Sequence, residues 1–278
     1  MARAARRLDL WALLWLLFMH GGAAAALFLP WRGSLWPMML AVYLIGGLGT
    51  TVGYHRLLAH RAFRCPRWLE HVLVTMAMVN TPGSPLLWVA NHRQHHAQSD
   101  RPGDPHSPRE GLWRSHMGWL LDPESTIPEL WRRNCRDLAD DAYYHWLLRY
   151  RMVPQLLGIL AIGLIFGWKS APQVFFVPTV AWMNSTFAVN SIAHTFGAQP
   201  YQTTDDSRDN VLVGVLGLGE GWHNTHHCFP RSARHGLLWW QLDVSWWVIW
   251  ALERVGLAWD VQLPSQAQRE ARRRRPSG

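Results

Sequence analysis

The residues best suited to chemistry form three histidine clusters: His55-Arg56-Leu57-Leu58-Ala59-His60, His92-Arg93-Gln94-His95-His96 and His223-Asn224-Thr225-His226-His227. A polar pair, Asn190 and His194, completes the set. In the second and third clusters the histidines stand at i, i+3 and i+4, which share one helical face, so each triplet can aim its imidazoles at one point. Asn190 and His194, at i and i+4, do the same. The H-x4-H spacing of the first cluster does not fit an α-helical face. Five steps of about 100° leave the two rings apart, which predicts a helix that ends or unwinds there. Neutral imidazole binds Zn, Cu, Fe and Ni alike. Nine histidines exceed what one four-coordinate zinc can use, so two metals sharing them fit better. A lone histidine is more often a surface or satisfied core residue, but two H-x2-H-H triplets beside hydrophobic segments are poorly explained that way.

Apolar runs must position these clusters. The chain has 278 residues, about half of them apolar, with 19 Trp. One run covers residues 10–29 and a second 35–53, with a turn at Pro30 to Ser34. The second delivers the chain to His55. A third run, 152–168, turns at Lys169 to Pro172 into a fourth, 174–192, which carries Asn190 and ends just before His194. Each is about the ~20 residues that cross a bilayer. The expected fold is an all-α integral membrane protein: two transmembrane hairpins under a helical cap, about 54–150 and 193–264, that holds a di-metal site. The chain reads as a single membrane domain with a basic tail, 265–278.

The net charge of +8 comes almost wholly from arginine, Lys169 being the only lysine. Because the arginines flank hydrophobic runs, a membrane surface is a better partner than nucleic acid. Their excess at the N-terminus, residues 56–67, 149–151 and the tail, against only Arg32 and Lys169 in the two turns, puts both termini and every cluster on the cytoplasmic side. A bacterial inner membrane is the expected location. Residues 97–110 are turn-rich and read as a loop, 129–150 as a helix on the membrane surface, and Leu237 to Leu252 as an interfacial amphipathic helix. Arg269 to Arg275 reads as a disordered tail on anionic lipid. Cys65, Cys135 and Cys228 show no paired framework, so no disulfide scaffold is expected.

Taken in order, these motifs resemble the integral-membrane fatty acyl desaturases of the stearoyl-CoA desaturase type. The resemblance rests on the three clusters together with Asp104-Pro105-His106, Ser115-His116-Met117-Gly118-Trp119-Leu120, Asn190-Ser191-Ile192-Ala193-His194 and Gly219-Glu220-Gly221-Trp222. It implies two irons held by His55, His60, His92, His95, His96, His194, His223, His226 and His227, with Asn190 acting through a water. It also implies O2 as co-substrate, and an acyl tunnel lined by Trp88, Thr186 and Phe187. A cis double bond at the ninth carbon of a saturated acyl-CoA is the implied outcome. No fused haem domain is evident, so a separate electron carrier of ferredoxin or cytochrome b type, with its reductase, is required.

One departure bears on substrate. Acyl-CoA members carry Arg-Asp where this chain has Ala90-Asn91, which leaves room for an acyl-lipid. Nine neutral ligands would leave the site cationic, so carboxylates should accept their ring N–H groups. Glu220 is the strongest choice, with Asp100, Asp104, Asp205, Asp206 and Asp209 behind it. His106 and His116 are assigned local hydrogen bonds; His20, His71, His145 and His235 are assigned structural or interfacial places. A membrane hydroxylase would share the metals but yield an alcohol. A metal transporter would need ionisable groups within its spans, and these spans are nearly free of them.

Overall fold

Helices begin where the sequence supplies caps. In the computed structural model, which describes residues 8–80, 83–123 and 128–274, Asp9 accepts from Ala12 N and opens α1, Leu10–Ala25. Helix α2, Trp36–Leu48, runs on without a break into a π-helix, Gly49–Ala59. Next come α3, Arg67–Asn80, and α4, Pro85–Gln98, the latter capped by Ser84 with Pro85 in its first turn. Short helices α5, Leu112–His116, α6, Pro128–Asn134, and α7, Ala142–Arg149, lead to α8, Val153–Phe166. A π-turn, Pro172–Phe176, feeds α9, Val177–Ser191. Helices α10, Val211–Leu216, α11, His223–Cys228, α12, Val244–Arg254, and α13, Gln266–Arg272, complete the chain. Among the described residues the only β pairings are isolated bridges such as Arg64 with Trp259.

Two helices, Leu10–Phe28 and Gly33–Ala59, are long and apolar enough to cross a membrane; up to four spans result if each of two bent pairs is one span. Those pairs are α3 with α4, bent by 85°, and α7 with α8, bent by 67°. The expected run at 152–168 is therefore only the 14-residue α8, and the run at 174–192 does not meet the same standard. Its polar residues are the reason. Asn184, Ser185, Thr186 and Ser191 each bond the carbonyl four residues back, which satisfies them inside the helix at some cost in apolarity.

Close helix approach fixes the first cluster. A Cβ on Gly49 would lie 2.1 Å from Ala77 N, so only glycine lets the π-helix lie against the α3 backbone. Buried Val52, Leu57, Leu73, Val74 and Met78 fill that seam. Helix α12 is tied in by Ser245 Oγ, 2.6 Å from Thr51 Oγ1. The expected disordered tail is instead helical through Arg272, held by a capping box at Ser265. Its backbone pairs with the 200–202 segment: Gln202 N donates to Arg272 O and Arg274 N to Pro200 O. Those backbone bonds outweigh mutual arginine repulsion; Arg275 lies outside the described residues. The expected surface helix at 129–150 is two helices, α6 and α7, separated by turns.

Candidate metal centre

At the first cluster the helix does not end; it unwinds into the π-helix. Residues five apart share a face in a π-helix, whose hydrogen bonds run from i to i+5. His60 N donates to His55 O at 3.0 Å, and the two rings stand 4.8 Å apart. The helix widens rather than ending, and that alone brings the pair together. Helix α4 presents His92, His95 and His96; α11 presents His223, His226 and His227; His194 follows α9.

The nine rings fall into two groups. His55, His60, His92, His96 and His226 form one, and His95, His194, His223 and His227 the other. Within each, one nitrogen per ring lies within 4.8 Å of all the others. Nε2 atoms face each other in pairs: His60 and His92 at 2.7 Å, His226 and His96 at 2.9 Å, His223 and His194 at 3.0 Å.

Carboxylates stand behind four of the rings. Nδ1 of His55 lies 2.5 Å from Glu220, that of His194 2.9 Å from Asp100, that of His95 3.0 Å from Asp104, and that of His227 2.9 Å from Asp205. A proton held on Nδ1 by a carboxylate leaves Nε2 as a bare lone pair. Lone pairs converging at these distances repel unless a cation lies between them, so the donor set fits metal ions. Burial, reinforced by neighbouring rings, pushes His223, His226 and His227 well below the ordinary histidine range, so they stay neutral and able to ligate. Burial works to raise Asp104, but the pull of His95 and its hydrogen bond prevail and hold the carboxyl well below its usual range. The loop at 99–107 folds around its own acids: Asp104 accepts from Asp100 N and His106 N, and Asp100 from Ser107 Oγ and Asp206 N.

Three cavities lead inward. The outermost, about 350 Å³, is lined by Trp11, Leu14, Trp15 and Phe18 of α1, with Asp9, Arg151 and Gln155 among its polar residues. It shares Trp88, Asn91, Trp119 and Leu120 with a narrower pocket that reaches Phe187, Thr186 and Asn190. A third pocket continues past Trp88 and Asn190 to His55, His92, His95 and His223. Trp88 lines all three and stacks on His92, ring centroids 4.9 Å apart.

All nine predicted histidines therefore meet, and Trp88, Thr186, Phe187 and Asn190 border the approach to them. Asp206 pairs with Arg109 and Asp209 with Thr225, so neither carboxylate bonds a ring. His116 bonds Ser191 and Asn184, and His106 packs on His95 and Trp119. His145 bonds Ala139 O and His20 bonds Leu16 O, away from the site. The spacing rules miss His235, which is buried against His226 and Glu220; it lies eight residues beyond the cluster, and only the fold brings it back.

Apolar pockets beside facing, carboxylate-backed histidines, in a chain with membrane-length helices, mark a histidine-rich membrane protein with a candidate metal site. The comparisons agree. Residues 34–263 match the family model described as Fatty acid desaturase. The chain is 43% identical over 242 residues to Delta-9 acyl-lipid desaturase 1 of Arabidopsis thaliana, covering 84% of this chain and 78% of that one. It is 40% identical over 260 residues to sn-1 stearoyl-lipid 9-desaturase of Anabaena variabilis, covering 92% and 94%. It is 38% identical over 258 residues to Icosanoyl-CoA 5-desaturase of Limnanthes douglasii, covering 92% and 72%. The chain belongs to the fatty acid desaturase family and is an oxidoreductase acting on fatty acyl chains.

Proposed function

We propose that the protein inserts a cis double bond after the ninth carbon of a saturated long-chain acyl group while that group is part of a membrane lipid. The observation that carries this reading is the series of pockets from α1 to the histidine groups, each of them lined by Trp88. In the proposal the group of five and the group of four histidines each hold one iron, with Asn190 contributing through a water. Bound there and supplied with O2, two irons provide the oxidising power to remove hydrogens from an unactivated methylene pair, which side chains cannot do. One O2, two electrons from a separate carrier and two protons, with the two hydrogens removed, leave as two waters.

The chain's own residues do the rest. Trp88, Thr186 and Phe187 hold the acyl chain bent, so that one carbon pair faces the site; a slip of one methylene changes the product. The apolar walls keep bulk water from the reacting carbon. Asp100, Asp104, Asp205 and Glu220 hold Nδ1 protons in place, so that each Nε2 keeps a free lone pair for metal.

The chemistry of the mouth favours a lipid over the acyl-CoA that the resemblance implied. Among the described residues lining it, Arg151 is the only cation and Asp9 faces the same cleft. A coenzyme A thioester brings several phosphate charges, and where the family's acyl-CoA members carry Arg-Asp this chain has Ala90-Asn91. Trp11, Leu14 and Phe18, all exposed on α1, give the cleft an apolar side wall through which a bilayer lipid enters laterally. The remaining architecture of the proposal is four spans under a cytoplasmic cap, with both termini inside.

The test is lipid analysis of stearate-fed cells expressing the chain beside a His95→Ala control, with derivatisation to locate the double bond. Purified, reduced enzyme in nanodiscs is then given stearoyl phospholipid or stearoyl-CoA. A hydroxylated product would sink the desaturase reaction, and turnover of the thioester alone would sink the lipid headgroup.

A further inference from the structure

Four of the nine histidines rest Nδ1 on a carboxylate; His226 does not. Its Nε2 faces His55 and His96 at 3.1 and 2.9 Å, inside the group of five, while its Nδ1 is buried and has no hydrogen-bond partner among the described residues. The ring packed against it is another histidine. His235 is fully buried, its ring 4.5 Å from that of His226 and 5.4 Å from that of His55. Both its nitrogens also lack hydrogen-bond partners. Its Nδ1 lies 3.6 Å from Glu220 Oε2, the oxygen that takes His55 Nδ1 at 2.5 Å. On the other side Glu220 Oε1 meets Arg56 Nη2 at 3.2 Å, and Arg56 Nη1 meets Asp243 at 3.0 Å. The backbone of the loop carrying His235 is pinned by the same aspartate: His235 N and Gly236 N both donate to Asp243 Oδ2, at 2.7 and 3.1 Å.

Such a concentration of unpartnered buried polar atoms calls for an explanation, because each unmade hydrogen bond is costly. Here the unpartnered groups are complementary. An imidazole that donates from Nδ1 toward Glu220 has Nε2 left as an acceptor, and His226 needs an acceptor for its Nδ1–H. We propose that His235 is the positioning residue for His226: through Nε2, across one bridging water, it accepts the Nδ1–H of His226, while its Nδ1–H leans on Glu220. One carboxylate then orients two ligands of the same iron, His55 by direct contact and His226 through His235. This rests on the reading of the five-histidine group as an iron site.

The test uses the purified full-length chain loaded anaerobically with ferrous iron. Iron per chain, iron retention against a chelator and the Mössbauer spectrum are measured for the wild type, His235→Phe and His235→Gln. Phenylalanine keeps the packing and removes both nitrogens; glutamine keeps an acceptor and a donor. His235→Phe is expected to lose iron from one of two sites, or to hold it 10- to 100-fold more weakly, with the other site's spectrum unchanged. His235→Gln is expected to stay within a few-fold of wild type. Wild-type retention and spectrum in His235→Phe would overturn the assignment. Equal loss of both irons from both variants at unchanged helix content would overturn it too, because that marks a packing role. If His235→Phe does not fold, His235→Gln decides: wild-type occupancy of both sites upholds the polar role, and loss of either iron overturns it. Wild-type protein that takes up no iron would instead remove the metal reading beneath the proposal.

Discussion

At the scale of single residues, the carboxylates behind the rings make the sharpest predictions. Asp104 is buried and accepts from His95 and from two backbone amides. We predict that Asp104→Asn lowers iron retention or turnover about 10- to 100-fold, measured by chelator competition and by product yield. Asp206→Asn, whose carboxylate reaches only the exposed Arg109, should leave both unchanged; equal effects would reject the distinction. Much of this was legible beforehand. H-x2-H-H triplets declare their shared face, and Glu220, Asp100 and Asp104 were candidates by nearness to a cluster, though Glu220 and Asp100 bond His55 and His194 far along the chain. The misses have one cause: His235, and the choice of Asp205 over Asp206 and Asp209, depend on where loops return the chain, and helical spacing says nothing about that.

Among elements, the π-helix and α4 are clamped by one side chain. Arg93, between two histidines of the second cluster, donates to Leu58 O and Ala59 O at the end of the π-helix, to Asn134 O at the end of α6, and to Asp137 through two nitrogens. Burial alone would raise the Asp137 carboxyl, but the hydrogen bonds of Arg93 and Arg61 prevail and lower it to about 2. The folded value lies below the model-peptide value, so this pair stabilises the fold above about pH 4 and the contribution fades as pH falls toward 2. Because the group is exposed, solvent screening reduces its size to about 1 kcal/mol or less at neutral pH. Asp137→Asn should therefore destabilise the protein at pH 7 and have little effect near pH 2, as read from thermal melts across pH. A pH-independent difference would reject the linkage. Within α9, Phe187→Ala should let the chain slip and broaden double-bond position or chain length; unchanged products would remove Phe187 from the tunnel. The π-helix itself was illegible because periodicity arguments assume 3.6 residues per turn.

For the whole molecule, the arginine asymmetry predicts sidedness. Cysteines placed at the exposed Gly33 and Lys169 should label from outside intact cells, and one at Arg101 should not; outside labelling at Arg101 would invert the arrangement. The two membrane-length helices of the first hairpin were readable from hydropathy, but the second hairpin was not, and neither was the folding of the tail onto residues 200–202, since backbone pairing between distant segments leaves no mark on composition.

The spread of the histidines along the chain has a further consequence. The group of five draws on residues 55 to 226 and the group of four on residues 95 to 227, so each metal would staple segments separated by more than a hundred residues. An ion that binds only the folded form raises stability in proportion to its excess over its dissociation constant, about 2.7 kcal/mol at a hundredfold excess. Iron-stripped protein should thus melt at a lower temperature than the iron-loaded form and be cleaved faster by protease. Equal melting and cleavage of the two forms would refute this. In a cell, iron scarcity would then govern how long the protein survives as well as how fast it works, making its abundance a gauge of the metal supply.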